Sequence, residues 1–115
     1  MITQDGRNAL LRIMFAHQPV ISGWRLALYT DANTEFTDYI GDRPLWTPIN
    51  MSNEIVTGSS EVTTSNVNAT IVGLALHSTE IKGSTTDIKA SYTELDTPIN
   101  LVADKPFSAI YRVGW

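Results

Sequence analysis

The chain has 115 residues, a formal net charge of -4 and no cysteine. One domain fits that length, and the missing thiols exclude a disulfide framework, a cysteine-ligated zinc and a thiol nucleophile. Lys and Arg number only eight and are scattered, which sets aside nucleic acid and anionic membrane as partners, since both are held by basic patches.

Apolar residues make up 43% of the chain and charged residues 17%, against about 25% charge in a typical domain. That balance points to a folded chain whose surface is covered by neutral polar groups or by partners. The N-terminus lacks a basic stretch followed by an apolar run and a cleavage site. No apolar stretch approaches the roughly 20 residues of a spanning helix. A soluble protein without a membrane anchor of its own is expected.

The first predicted element is a helix near residues 3–16. Thr3 is a candidate N-cap, and Asp5 sits in the first turn, where a carboxylate suits the positive helix end. Ala9, Leu10, Ile13 and Met14 share a helical face, extended by Leu11 and Phe15. Pro19 marks the helix as ended. Period-two alternation follows: Trp24, Leu26 and Leu28 face one way, Arg25, Ala27 and Tyr29 the other. Thr30 to Thr34 is turn chemistry. Phe36 to Ile40 reads as one short helical turn or as irregular chain.

The middle holds short strand candidates. Asn53 to Thr57 and Glu61 to Thr64 read as a hairpin with Gly58-Ser59-Ser60 as its turn. Ala69 to His77 is apolar on both faces, so a central strand buried on two sides is expected. Gly73 inside it predicts a bulge or a close backbone approach. Lys82 to Thr85 is a turn. Asp87 to Leu95 alternates with Ile88, Ala90 and Tyr92 inward, and a short segment, Ile99 to Val102, follows. The last strand puts Phe107, Ala109, Tyr111 and Val113 on one face and Ser108, Ile110 and Arg112 on the other. The fold class is therefore mainly β: a β-sandwich, jelly-roll-like, of about six to eight short antiparallel strands behind one N-terminal α-helix. It forms a single domain over residues 1–115.

One internal echo stands out. Leu45-Trp46-Thr47-Pro48-Ile49-Asn50-Met51 parallels Leu95-Asp96-Thr97-Pro98-Ile99-Asn100-Leu101. The copies are either two equivalent edge segments offered to partners, since Pro favours strand edges, or a coincidence of two unrelated strand starts.

Residues that carry chemistry are sparse. His17 reads as a helix C-terminal cap and His77 as a strand-end turn residue, without a nucleophile motif beside either. The segment from Asp31 begins like a calcium loop, but Phe36 stands where the EF-hand needs Gly, so an Asx-rich turn is expected. Glu54, Glu61, Glu80 and Glu94 read as solvated carboxylates. The aromatics are more informative. Trp46 lies between Pro44 and Pro48, and Trp115 is the final residue. Each either docks on a partner or sugar ring, or folds back on its own core.

Several segments in chain order resemble the small virion proteins of tailed bacteriophages, of tail-fibre-like or head-decoration type. Ile2-Thr3, Gly6 and Ala9-Leu10 match their opening helix. Leu26 to Asp31 matches a Leu-x-Leu-aromatic-Thr strand, and Ile71 to Leu76 an Ile/Val-Gly-hydrophobic strand. The turn Ala103-Asp104-Lys105-Pro106 lacks the Gly that the family places there. The resemblance implies a structural role in a virion, assembled in the host cytoplasm, as a symmetric oligomer with a trimer favoured. Its partners would be the major capsid protein or other virion proteins. It implies no catalytic residue, cofactor or metal.

The expected function is capsid decoration, or cement, with Leu45, Trp46, Ile49 and Trp115 as interface residues. The alternatives are a tail-fibre or tail-tip adhesin using Trp46, and a free carbohydrate-binding β module.

Overall fold

The computed structural model describes residues 2–15, 23–53 and 55–114. The protein is mainly β. Its elements are α1 (Gln4–Phe15), β1 (Arg25–Asp31), β2 (Thr34–Phe36), β3 (Trp46–Ser52), β4 (Ile55–Ser60), β5 (Thr63–Thr64), β6 (Ala69–His77), β7 (Lys89–Leu101), β8 (Pro106–Phe107) and β9 (Ile110–Gly114). All paired strands are antiparallel. They form a four-stranded sheet in the order β2-β1-β6-β7, a three-stranded sheet β3-β4-β9 and a small β5-β8 pair.

Thr3 caps α1 as its sequence position suggests. Its Oγ1 accepts the Gly6 N–H at 3.0 Å, satisfying one of the amides that the first turn leaves open. The Thr3 N–H donates to the Ala90 carbonyl at 2.8 Å, and its hydroxyl donates to the Lys89 carbonyl. The cap therefore also fastens α1 to the edge strand β7. Gly6 faces Ala90 so closely that a Cβ would strike the strand backbone. Among the described residues, no helix is long and apolar enough to cross a membrane.

Period-two alternation in β1 and β6 builds the core. Leu26 pairs with Leu76 and Leu28 with Leu74, and these four meet Trp46 and Tyr111 of the three-stranded sheet. Fully burying each such leucine contributes about 1.5–3 kcal/mol. The opposite face of β1 and β6 carries Ala27, Tyr29 and Ala75 and is buried too, as expected for Ala69–His77. Of the two readings of Gly73, the irregular register is the one present, and its close neighbour is a side chain, not backbone. The register shifts beside it, and the Tyr92 hydroxyl occupies the space a Cβ would need.

Four expectations are corrected. Gly58-Ser59-Ser60 is no turn: it is the second half of β4, and the chain reverses near Asn53, whose φ of 53° is left-handed. Gly58 signals contact rather than reversal, because the Trp46 ring lies where its Cβ would be. Phe36 to Ile40 holds no helical turn. Phe36 ends β2, and Tyr39 bridges to Ser65. Ala90 and Tyr92 do not share a face. Leu76 pairs with Ser91 but His77 with Lys89, so Ala90 is a bulge residue turned to the main core while Tyr92 packs on the outer cluster. The last strand is two strands, Pro106–Phe107 and Ile110–Gly114, in different sheets, although its two faces are as expected.

Candidate interaction surface

The two Thr-Pro-Ile-Asn segments lie on the outer edges of two different sheets. Thr47 to Asn50 belongs to β3, the terminal strand of its sheet, and Thr97 to Asn100 belongs to β7, the terminal strand of the other. All eight residues are exposed. Both sites are irregular. In β3 the ladder steps from Pro48 to Asn50, leaving Ile49 as the extra residue. In β7 it steps from Glu94 to Ile99 opposite the single residue Val72. Pro cannot donate to a ladder, and bulges re-aim side chains, so both edges present side chains instead of a continuous row of amides.

The residues expected at an interface divide. Ile49 is 67% exposed on the β3 edge. Leu45 is half-buried; its amide donates to the Glu61 carboxylate at 2.8 Å. Trp46 is 6% exposed and packs in its own core. Its place as a partner-facing residue is corrected: the residue following Leu45 on this strand points inward, between Tyr111 and the Gly58 backbone. Trp115 and His17 lie outside the described residues. So does Glu54, whereas Glu61, Glu80 and Glu94 are exposed. Asp31 forms the expected Asx turn, accepting the Asn33 amide at 2.8 Å.

A buried polar cluster that sequence reasoning missed sits on the outer face of the four-stranded sheet. Glu35 pairs in register with Tyr29, and His77 lies on the same face at the far end of β6. Residues 78–88 fold over them. Arg43 is 0% exposed and uses all five of its N–H donors. Its Nε and Nη2 fork onto Glu35 at 2.9 and 2.7 Å, Nη1 reaches Asp87 at 3.1 Å, and the Thr79 and Ser84 carbonyls accept at 3.1 and 3.3 Å. Asp87 also meets His77 Nδ1 at 3.1 Å, and His77 Nε2 lies 2.8 Å from the Tyr29 hydroxyl.

Tyr29, His77 and Asp87 thus stand in the order of donor, base and orienting carboxylate. Burial pushes the Tyr29 phenol up to about 12. Burial first, and then the Arg43 charge, hold His77 below its ordinary value despite Asp87. His77 is 3% exposed, residues 78–88 cover the cluster, and its polar groups satisfy one another. No group of three or more His, Asp or Glu among the described residues is arranged to hold a metal ion. The sequence carried no signal for it: Arg43 follows Asp42 and precedes Pro44 and Leu45, and nothing local pairs it with Glu35 or Asp87.

No protein-family model matches the chain, and no curated protein is detectably similar to it in sequence.

Proposed function

We propose that this chain is a non-enzymatic structural protein of a tailed-bacteriophage virion. Its role is capsid decoration: a β-sandwich oligomer, trimeric at local three-fold positions, clamps neighbouring capsid subunits. Burying surface shared between subunits shifts their equilibrium toward the assembled shell.

The supporting observation is the pair of Thr-Pro-Ile-Asn segments, exposed on the free edges of two different sheets. Two similar, uncharged edge segments give one small domain two contacts, which a clamp needs. The Trp46 ring, on which the adhesin alternative relies, is buried in the protein's own core.

Immunogold electron microscopy of particles from the source culture tests the assignment. Label spread over heads is the expected result. Label confined to tails, or absent from particles, overturns decoration.

A further inference from the structure

Met51 faces inward by register and yet has no interior around it. It pairs with Val56, which pairs with Val113, and the latter two pack on the main core. Met51 is nonetheless 74% exposed. The β3-β4 hairpin overhangs the body of the sandwich here. Beneath it runs an open apolar trough of about 350 Å3. Pro48, Met51 and Val56 line it from the hairpin and Leu10 from α1, together with Trp24 and Trp46. None of its described lining residues carries a charge.

We infer that this trough receives the β3 edge of a second copy of the chain, led by Ile49. The inference rests on the assembly role proposed above and assigns a surface to it. Three observations select a second copy. The chain carries a net charge of -4, so copies repel except across uncharged surface; the stretch from Leu45 to Asn53 contains no charged residue, and neither does the trough. Donor and acceptor therefore match without like-charge contact. Ile49 is the bulge residue of a free edge, re-aimed away from its own sheet. Leu10 and Met51 of the trough and Ile49 of the edge are all exposed apolar side chains, the kind of surface that a partner covers. Ile49 is not itself part of the trough lining, so the contact joins unlike residues head-to-tail, the arrangement that gives a ring when its rotation closes.

Sedimentation velocity of the full chain over a concentration series tests this. Wild type should self-associate. Ile49→Glu and Met51→Glu should each weaken association roughly 100-fold, because a carboxylate enters an apolar contact. Both positions are exposed in the single chain, so circular dichroism and melting should not change. The chain has no cysteine, which permits a second measurement. Ile49→Cys mixed with Met51→Cys should form a disulfide between copies more readily than either variant alone.

Oligomers that persist in both Glu variants overturn the trough contact and leave the assembly role standing. A wild type that stays monomeric at every concentration also overturns it, and co-sedimentation with particles then tells whether the assembly role survives. A monomer that carries an apolar small molecule by native mass spectrometry overturns it in favour of a ligand pocket.

Discussion

Arg43 and Glu35 form a two-pronged ion pair, at 2.7 and 2.9 Å, inside the protein. The arginine is fully buried and the Glu35 side chain is 8% exposed. Asp87 meets the same guanidinium from the other end of the 78–88 segment. One side chain thereby fastens that segment to the outer face of the four-stranded sheet. Lys82 adds a second tie, donating to the Tyr39 carbonyl at 2.7 Å while lying over the Tyr39 ring.

Removing Arg43 strands two buried carboxylates. Arg43→Met is expected to cost about 3–5 kcal/mol, the usual penalty for breaking a buried pair from one side. Adding Glu35→Gln and Asp87→Asn should recover a large part of that loss, because the unpaired charges go with them. Urea denaturation of the single and triple variants measures both. A single variant within about 0.5 kcal/mol of wild type would contradict the tie.

His77 makes stability depend on pH on the acid side. The fold holds its pKa below the ordinary 6.5. The unfolded chain therefore takes up this proton first as pH falls, so its contribution is complete above pH 6.5 and is lost on descending through the folded value. His77→Gln should flatten the acid limb of a melting-temperature profile between pH 7 and 5. Tyr29 acts oppositely: its folded pKa is raised from 10.0 to about 12, so its contribution is present below pH 10 and disappears as pH rises through 12. An acid limb unchanged in His77→Gln would assign the pH dependence to other groups.

Gly58 and Gly73 should respond differently to alanine. At Gly58 a Cβ meets the Trp46 ring and the Thr47 carbonyl, both fixed in the core ladder. At Gly73 it meets the outer end of the Tyr92 side chain, which is half-exposed and can yield at the cost of its edge contact with Tyr29. Gly58→Ala is expected to cost about 2–3 kcal/mol, in the upper range for overpacking, and Gly73→Ala clearly less. Thermal melts of the two variants, compared side by side, decide the order.

The Tyr39 hydroxyl is buried without a hydrogen-bond partner. Removing a stranded polar group spares its desolvation cost, so Tyr39→Phe should stabilise the fold by about 1 kcal/mol. The ring stays, keeping its contacts with Phe36 and Phe107. A melting temperature that falls would show that the hydroxyl has a partner in solution.

The sequence by itself determined the local elements. Thr3 with Asp5 in the first turn specified the helix cap, alternation specified β1, and a stretch apolar on both faces bounded β6 at Ala69 and His77. Each of these depends on neighbours within a few positions, where spacing fixes direction. Glycine was legible as a special position at 58 and 73, but not in its meaning at 58. A turn and a close contact both demand a missing side chain, and only the position of Trp46 on the neighbouring strand separates them.

Tertiary structure alone decided the polar cluster and the surface. Glu35, Arg43, His77 and Asp87 come from four segments, and their pairing is set by strand order and by the path of residues 78–88 across the sheet. The same holds for Trp46 and Met51, five residues apart, which plain alternation would place on opposite faces. A single bulge at Ile49 brings Met51 back to the inner face, opposite Val56, while Ile49 itself stays on a free edge. Periodicity cannot locate a bulge, because the extra residue is defined by the partner strand it fails to pair with.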